Sequence, residues 1–256
     1  MKVVILAGGF GTRLSEETVV KPKPMVEIGG MPILWHIMKI YSYYGFNEFI
    51  ICLGYKGYLI KEFFGNYFLH QSDVTIDIEK NNIKVESSIA EPWKISLVDT
   101  GDESMTGGRI KRIQKYIGKE SFFLTYGDGL SDVDLNGLIL EHKSNDSFCT
   151  LTAVQPPARF GALDIVNGKV EKFVEKPKGD RLWINGGFMI CDHQVFDFID
   201  NDQTIWEKKS LPLLAESGKL NVFKHKGFWR AMDTLNDKHT LNHLWNEKEA
   251  KWKIWS

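Results

Sequence analysis

Three glycines and one arginine follow the first apolar run of the chain, where residues 6–14 read LAGGFGTRL. Gly8, Gly9 and Gly11 let the backbone pass close to a ligand and turn its N–H groups toward it, and such a concave run of N–H groups binds phosphate. Arg13 adds a planar fork of donors that matches phosphate oxygens. The alternative interpretation is a tight turn that carries a surface arginine.

Two other phosphate-binding loops are excluded by the same residues. A dinucleotide-binding loop needs a third glycine in the pattern G-x-G-x-x-G, whereas residues 9–14 read GFGTRL. No acidic residue ends the second predicted strand, so the usual recognition of a ribose is absent as well. A P-loop needs Gly-Lys followed by Ser or Thr, which this segment lacks. A glycine loop that ends in Arg13 is what remains.

Two lysines alternate with two prolines in Lys21-Pro22-Lys23-Pro24. Each proline fixes its own φ and biases the residue before it toward extended backbone. Lys23 would therefore present a pre-organised positive charge beside the phosphate-binding loop. The alternative, a solvated basic loop, would not need both prolines.

A carboxylate stands between two glycines in Gly127-Asp128-Gly129, directly after a predicted buried strand. At the end of that strand it would face the edge of a sheet, and a hard cation prefers oxygen ligands of this kind. An aspartate in an ordinary tight turn is the alternative.

The elements that must position these residues alternate between strand and helix. The patterns predict strands at Val3–Leu6, Glu48–Leu53, Ser121–Tyr126 and Thr150–Val154, helices at Met31–Tyr44, Tyr58–Phe68, Thr106–Tyr116 and Leu135–Lys143, and hairpins from Val74–Glu79 with Ile83–Glu86 and within Ile165–Phe173. This order predicts one α/β domain over residues 1–256, with a mixed, mostly parallel sheet, helices on both faces and added β-hairpins. Ligands of such sheets bind at the carboxyl ends of the strands, where Gly8 and Asp128 would both lie.

Composition limits the classes of function. The chain has 256 residues, 43% of them hydrophobic, and a formal net charge of −1. That length can bury a large core, and the charge gives no argument for binding nucleic acid. No apolar segment approaches the ~18 residues of a membrane span, and residues 3–7 are too short for a secretion signal. Three scattered cysteines fit buried thiols in a reducing compartment, so we expect a cytoplasmic location.

Residues 6–14, followed by KPKPM at residues 21–25, resemble the signature of the sugar-1-phosphate nucleotidyltransferases. The segments VDTGDESMTGGRIK (98–111), RFGALD (159–164), INGGF (184–188) and GFWRAMDT (227–234) resemble one subgroup of that family most closely. The resemblance implies a Rossmann-like nucleotidyltransferase fold, Mg²⁺ as cofactor, CTP and glucose 1-phosphate as substrates, and a bacterial surface-sugar pathway. An enzyme that uses UTP or dTTP, and a catalytically inactive regulatory subunit, remain alternatives.

The resemblance also implies roles for individual residues. The nucleotide would be bound by Leu6, Ala7, Gly8, Gly9, Phe10, Gly11, Thr12, Arg13, Lys23, Ser104, Thr106, Gly107, Arg109 and Asp128. Among these, Arg13 would hold the leaving pyrophosphate and Lys23 would contact the α-phosphate. The sugar phosphate would be bound by Gly161, Glu175, Lys176, Asn185 and Gly186. Three of these motifs have structural alternatives, namely a solvated turn at 175–177, a strand bulge at 185–187 and a helix-surface residue at Arg109.

Asp128 and Asp233 would be the metal ligands on the same grounds. Asp233 departs from the wider pattern, because much of the family has Trp-x-Asp, whereas three residues separate Trp229 from Asp233 here. The subgroup that the later segments resemble shares the longer spacing.

The end of the chain carries Trp245, Trp252 and Trp255 among charged residues. Such a tail is too apolar to be left in water, so it would pack on a neighbouring region or on a second subunit. We therefore expect a homo-oligomer, and the family resemblance points to a hexamer.

Overall fold

A computed structural model of the chain describes residues 1–156, 162–166, 169–174 and 182–255. The strands, in chain order, are β1 (Lys2–Leu6), β2 (Glu27–Ile28), β3 (Met31–Pro32), β4 (Glu48–Leu53), β5 (Ser72–Asp77), β6 (Asn82–Ser88), β7 (Lys94–Asp99), β8 (Phe122–Tyr126), β9 (Gly129–Ser131), β10 (Cys149–Val154), β11 (Ala162–Val166), β12 (Lys169–Val174), β13 (Ile184–Cys191), β14 (Leu220–Lys224) and β15 (Trp229–Ala231). The α-helices are α1 (Ser15–Thr18), α2 (Ile33–Tyr43), α3 (Gly57–His70), α4 (Thr106–Arg112), α5 (Gln114–Ile117), α6 (Leu135–Lys143), α7 (Leu211–Glu216) and α8 (Leu235–Asn246). Short 3₁₀ segments lie at Thr12–Leu14, Lys23–Met25 and His193–Phe198, and a π-helical turn lies at Trp206–Ser210.

Seven strands form the central sheet in the order β14-β10-β13-β8-β1-β4-β7. Strands β8, β1, β4 and β7 run parallel to one another, and β10 runs parallel to β14. Strand β13 lies between β10 and β8 and is antiparallel to both. This arrangement confirms the predicted mixed, mostly parallel sheet. Leu6 and Tyr126 are register partners at the ends of β1 and β8. The loops that begin at Gly8 and Gly127 therefore start side by side, as the sequence predicts.

Strand β1 is buried on both faces of the sheet. Val3 and Ile5 belong to one apolar cluster, and Val4 and Leu6 belong to another. Side chains alternate between the two faces of a strand, so a strand covered on both sides must be apolar throughout. This burial fixes the start of the glycine loop, because the residues before it cannot slip in register without exposing one of the two faces.

Several predicted boundaries shift in the structure. Residues 31–32 pair with residues 27–28 before helix α2 begins at Ile33, and the helix predicted over residues 106–116 is divided at Ile113, where φ is −94° and ψ is 3°. The predicted hairpins form as β5–β6 and β11–β12, although the turn residues 167–168 lie outside the described residues. Strands β7, β13 and β14 were not predicted.

The tryptophan-rich tail packs within its own chain. Trp252 is fully buried, and its Nε1 donates to Nδ1 of His36 at 3.4 Å. The ring of Trp245 lies 4.8 Å from the ring of His36, centroid to centroid. The site that covers the tail is therefore the start of α2 and the β2–β3 turn. The apolar tail packs on its own chain without a second subunit, so it no longer supports the expectation of an oligomer.

The cysteines and the helices relate to two further expectations from the sequence. Cys52, Cys149 and Cys191 are all buried with free thiols, as predicted. Within the described residues, every helix is too short or too polar to cross a membrane.

Candidate active site

The glycine loop packs on one side and is open on the other. Gly11 has φ +65°, and a Cβ there would lie 2.8 Å from Cγ2 of Thr18 and 3.2 Å from Cβ of Lys23. The hydroxyl of Thr18 donates to the carbonyl oxygen of Gly11 at 3.1 Å and so holds the turn. A Cβ at Gly9 would have no atom within 4 Å. The loop thus presents free backbone to open space at Gly9 while it rests on Lys23 at Gly11.

The proline-flanked segment places Lys23 below this loop. Pro22 is extended, with φ −65° and ψ 150°, but Lys23 begins a 3₁₀ turn, so the prediction of extended backbone at Lys23 is wrong. The turn forms because the N–H of Met25 reaches the carbonyl oxygen of Pro22 at 2.8 Å. Pro24 then packs on Gly127, where a Cβ would lie 3.0 Å from Cγ of Pro24. This close approach brings Lys23 beside Asp128.

Four charged side chains from distant parts of the sequence meet at this point. Nζ of Lys23 donates to Oδ2 of Asp128 at 2.6 Å and to Oδ1 of Asp233 at 2.7 Å. Nη1 of Arg13 donates to the other oxygen of Asp233 at 2.7 Å. Lys23 is buried, whereas the side chain of Arg13 is 69% exposed. Arg13 is therefore the cation of the cluster that can leave its partner for a ligand.

The two carboxylates hold the charge of Lys23 in a buried place. Burial lowers the pKa of the Lys23 ammonium, but the charges and hydrogen bonds of Asp128 and Asp233 outweigh it, so the pKa lies above its ordinary value. Lys23 thus remains positively charged at neutral pH. The formal charges of Lys23, Arg13, Asp128 and Asp233 sum to zero.

Helix α8 fixes the position of Asp233. The helix begins with Thr234 as N-cap, and Oδ2 of Asp237 accepts from the N–H groups of Asp233 at 3.2 Å and Thr234 at 3.0 Å. The N–H of Met232 donates to the carbonyl oxygen of Asp128 at 2.8 Å, next to the antiparallel pair β9–β15. The longer spacing between Trp229 and Asp233 therefore still brings the two carboxylates to one point.

The donor set at this point fits a hard divalent cation. The described part of the chain holds no group of three or more His, Cys, Asp or Glu side chains that could bind a metal by itself. Asp128 and Asp233 supply two oxygen-donor groups that already converge on one ammonium group, and Mg²⁺ is commonly bound by one or two carboxylates together with substrate phosphates. The two residues predicted as metal ligands are thus brought together, and their role stays a prediction.

Arg109 lies behind the glycine loop and is 4% exposed. Its Nη1 donates to the carbonyl oxygens of Leu53 at 3.0 Å and Gly101 at 2.6 Å, and its Nη2 donates to that of Gly8 at 2.9 Å. The alternative of a helix-surface residue is wrong. The guanidinium joins the loops that follow β1, β4 and β7, and a Cβ at Gly8 would clash with it at 2.3 Å.

The segment after β7 places the next predicted nucleotide residues beside residues 202–207. Ser104 is buried. A Cβ at Gly107 would lie 2.6 Å from the carbonyl oxygen of Thr204, so the close approach at this glycine is to the chain's own backbone. The hydroxyl of Thr106 donates to Oε2 of Glu207 at 2.7 Å. Contact of these residues with a nucleotide stays a prediction.

The predicted sugar-phosphate residues are only partly described. Gly161, Glu175 and Lys176 lie outside the described residues. Asn185 and Gly186 lie on β13 at a register shift against β10, which is the strand bulge given above as the structural alternative, and such a bulge is compatible with a role in binding the sugar phosphate. Nε1 of Trp229 donates to the carbonyl oxygen of Gly186 at 2.7 Å and so joins the bulge to the segment that leads to Asp233.

The remaining residues predicted to bind the nucleotide lie at the end of β1 and in the loop after it. Leu6 and Ala7 are buried at the end of the strand, and Thr12 begins the 3₁₀ turn that contains Arg13. Phe10 is 52% exposed, and its ring lies 5.3 Å from that of Tyr55. An aromatic side chain thus stands at the open edge of the loop.

Sequence reasoning missed two residues of this region. The hydroxyl of Tyr126, at the end of β8, donates to Oε1 of Glu207 at 2.5 Å. Burial and the neighbouring carboxylate raise the pKa of this phenol, so it stays protonated. Glu207 lies in a π-helical turn far along the chain, and no motif in the sequence marks it.

Comparisons with known proteins agree with this geometry. A family profile described as Nucleotidyl transferase matches residues 2–246. The chain is 59% identical over 256 residues to the glucose-1-phosphate cytidylyltransferase of Salmonella typhi and 44% identical over 256 residues to a probable glucose-1-phosphate cytidylyltransferase of Bacillus subtilis, with all of each chain covered. The crystal structure of HddC from Yersinia pseudotuberculosis complexed with GMP-PN superposes with a TM-score of 0.68 at 27% identity, covering 95% of this chain and 99% of that one.

These similarities confirm the Rossmann-like nucleotidyltransferase fold that the first glycine loop and the later motifs predicted. The chain therefore belongs to the nucleotidyl transferase family, in the group of the glucose-1-phosphate cytidylyltransferases.

Proposed function

We propose that the protein transfers a cytidylyl group from CTP to α-D-glucose 1-phosphate and releases CDP-glucose and pyrophosphate. The observation that carries this proposal is a cluster of four charged side chains next to the open glycine loop. In it, Lys23 contacts Asp128 at 2.6 Å and Asp233 at 2.7 Å, and Arg13 contacts Asp233 at 2.7 Å. The relatives from Salmonella typhi and Bacillus subtilis support the choice of nucleotide and sugar.

The reaction is an in-line displacement at the α-phosphorus of CTP. An oxygen of glucose 1-phosphate forms the new P–O bond, and the bond to the bridging oxygen of pyrophosphate breaks. Both reactants are anions, so the protein must align them and neutralise their charge. The open backbone at Gly9 would bind the triphosphate through its N–H groups, and Lys23 would stabilise the charge that grows on the α-phosphate. Arg13 is exposed enough to turn from Asp233 to the leaving pyrophosphate.

Asp128 and Asp233 would hold Mg²⁺, which supplies positive charge to the phosphates when it is bound. The charge balance of the cluster supports this assignment. The formal charges of its four side chains sum to zero, so without a divalent cation the site has no net positive charge to offset two anionic substrates. Lys23 would give up its carboxylate contacts and direct the same ammonium to phosphate oxygens.

The base of the nucleotide gives the sharpest test. Cytosine has an amino donor at position 4 and an unprotonated acceptor at position 3, whereas uracil has the reverse. A site built for cytosine leaves two buried groups mispaired with UTP, and each unsatisfied group costs ~1–3 kcal/mol. We therefore expect kcat/KM for CTP to exceed that for UTP by about a hundredfold or more.

The measurement is pyrophosphate release with glucose 1-phosphate and each of CTP, UTP and dTTP at matched Mg²⁺. Galactose 1-phosphate and mannose 1-phosphate serve as sugar controls. Equal rates with the three nucleotides would remove the cytidylyl assignment and leave a sugar nucleotidyltransferase of broader specificity. Release with none of them, while nucleotide still binds, would favour the inactive regulatory subunit.

We further propose that the product serves a bacterial surface-polysaccharide pathway, O-antigen dideoxysugar synthesis, in the cytoplasm. The family resemblance also supports a homo-oligomer, with a hexamer as the expected size. Light scattering on the full chain tests the assembly, and a monomer would remove that part of the proposal.

A further inference from the structure

A half-buried glutamate links the predicted nucleotide segment to the predicted sugar strand. Glu207 lies in the π-helical turn Trp206–Ser210, and such turns concentrate at functional sites. We propose that Glu207 is a positioning residue, which orients Asn185 toward the sugar phosphate through the hydroxyl of Tyr126. The inference rests on the proposed function, because Asn185 is a sugar-phosphate residue only there.

Hydrogen-bond direction carries the argument from Glu207 to Tyr126. An ionised carboxylate can only accept, so the Tyr126 hydroxyl must donate to Oε1 of Glu207 across their 2.5 Å contact. A phenol has a single hydrogen, and this contact uses it. The Tyr126 oxygen can then only accept from any further neighbour.

That neighbour is Asn185. Its Nδ2 lies 3.4 Å from the Tyr126 oxygen, and its Oδ1 accepts from the N–H of Gly187 at 2.9 Å. Both contacts require the same orientation of the amide. One hydrogen of Nδ2 remains, so this orientation offers the substrate a donor from Asn185. Phosphate oxygens and sugar hydroxyl oxygens are groups that such a donor binds.

The second carboxylate oxygen reaches the nucleotide segment. Oε2 of Glu207 accepts from the Thr106 hydroxyl at 2.7 Å, and the Thr106 oxygen accepts from the N–H of Trp206 at 2.9 Å. Thr106 and Asn185 thus each have one backbone contact besides this chain of hydrogen bonds. Thr106 donates to Glu207, so any oxygen at that place keeps its hydrogen bond, whereas Asn185 depends on the direction of the hydrogen bond between Glu207 and Tyr126. A substitution that keeps an oxygen toward Thr106 but turns a donor toward Tyr126 should therefore affect the sugar side more than the nucleotide side.

The backbone leaves Tyr126 little room to adapt. Gly187 has φ +85°, and a Cβ there would lie 2.7 Å from Cδ2 of Tyr126. The ring is thus packed against the bulge that carries Asn185. A substitution that keeps the size of Glu207 will therefore change the direction of the hydrogen bonds before it changes the position of the ring.

Glu207→Gln makes that change. When the amide oxygen accepts from the Thr106 hydroxyl, the amide nitrogen donates to the Tyr126 oxygen, which frees the phenol hydrogen and sets it against the Nδ2 donors of Asn185. We expect the KM for glucose 1-phosphate to rise about tenfold, the effect of one misdirected hydrogen bond, while the KM for CTP changes by about twofold or less and the melting temperature shifts by about 4 °C or less.

Two variants sharpen the test. Tyr126→Phe removes the hydroxyl and should raise the same KM, and the double variant should be no worse than the more affected single variant, because both act on one chain of hydrogen bonds. Glu216→Gln makes the same chemical change at an exposed position at the end of α7 and serves as the matched control.

Calorimetric binding of glucose 1-phosphate to the wild type and to the variants separates this inference from the proposed function. A wild type that prefers another nucleotide, but whose affinity for glucose 1-phosphate falls in Glu207→Gln, contradicts only the proposed function. Unchanged KM and affinity in Glu207→Gln, additive effects of the two substitutions, or a loss of melting temperature that accounts for both KM values would overturn the role of Glu207. A wild type that binds no glucose 1-phosphate overturns both.

Discussion

Two buried cations lie against the two ends of the glycine loop and are held in different ways. At Gly11, Lys23 contacts two carboxylates, Asp128 and Asp233. At Gly8, Arg109 contacts backbone carbonyl oxygens and the hydroxyl of Thr100. Carboxylates can be taken over by a metal ion, which frees the lysine for another anion. We do not expect carbonyl oxygens of the chain to change partners in this way, so we expect Arg109 to stay in place when a ligand binds.

If the proposed function holds, the difference separates a cation that acts on the substrate from one that stabilises the fold. Lys23 should matter to the rate and little to the fold, because its carboxylate partners can bind a metal ion as well as a lysine. Arg109 should matter to the fold, because its donors close three loops at the carboxyl edge of the sheet. Both side chains are buried, so burial alone does not distinguish their roles.

The largest expected effect is on the rate at Lys23. Lys23→Ala should lower kcat by about 10²–10³-fold, the usual effect of removing one pre-organised electrostatic donor, with a smaller change in CTP affinity. Steady-state kinetics and thermal unfolding on the same samples measure both sides of the comparison. Near wild-type kcat, or a rate loss explained by unfolding, would show that Lys23 is as architectural as Arg109.

Arg109 should show the reverse pattern. Arg109→Met keeps an extended side chain but removes the hydrogen bonds of the guanidinium to Gly8, Leu53 and Gly101, so the free energy of unfolding should fall by about 3 kcal/mol or more. Urea unfolding measures that loss. The surviving folded enzyme should also use CTP less well, because the glycine loop is no longer held at Gly8.

Arg112→Met is a matched control for this measurement. Arg112 lies on the same helix, is largely exposed, and pairs with Asp202 at the surface. Its loss should cost about 1 kcal/mol or less. Similar losses for Arg109 and Arg112 would contradict the architectural role.

His36 sharpens the comparison, because it is a buried base without a charged partner. Burial lowers its pKa to about 4, while Ile28 accepts from Nε2 at 2.8 Å and Trp252 donates to Nδ1. The folded state holds the ring neutral and the unfolded state protonates it near its ordinary pKa of 6.5. Its contribution to stability is therefore full above pH 6.5 and is lost as pH falls from about 6.5 to about 4, by up to about 3 kcal/mol.

Urea unfolding of the wild type and His36→Gln at several values between pH 7 and pH 4 isolates this contribution. The variant should lose stability less steeply on acidification. Parallel pH curves for the two proteins would mean that His36 is not held neutral.

The smallest expected effect concerns the metal requirement. Asp128→Asn keeps the size of the side chain and removes one negative charge from the carboxylate pair, so the Mg²⁺ concentration for half-maximal rate should rise about tenfold or more. Titration of Mg²⁺ after treatment with a chelator provides the measurement. An unchanged requirement would exclude Asp128 as a ligand and would place it with the structural contacts of Lys23.

Local sequence signals were enough to predict that Lys23 and Asp128 lie near the glycine loop. Gly11, the prolines around Lys23 and the glycines around Asp128 each mark an unusual backbone path, and strand order brings them together. Arg109 was predicted to bind the nucleotide, and that role stays a prediction. Its observed partners are the hydroxyl of Thr100 and main-chain oxygens, and main-chain oxygens carry no side-chain signal. The same reason hides Glu207, because its contacts join a late turn to the end of β8.

The tail shows a different limit. Its three tryptophans were recognised as too apolar for water, yet the surface that covers them depends on where the β2–β3 turn meets α8. Gly29 makes room there, since a Cβ would lie 2.0 Å from Nε1 of Trp245. Such a fit depends on three-dimensional shape, and sequence patterns describe only the order of residues.

Helix α8 connects this covered tail to the catalytic edge. Asp233 stands directly before the N-cap of the helix, and the helix of 12 residues leads, about 18 Å away, to the segment that carries Trp252. A change that displaces Trp252, such as a fusion at the end of the chain, is therefore expected to shift α8 and with it Asp233. A purification tag is better placed at the other terminus.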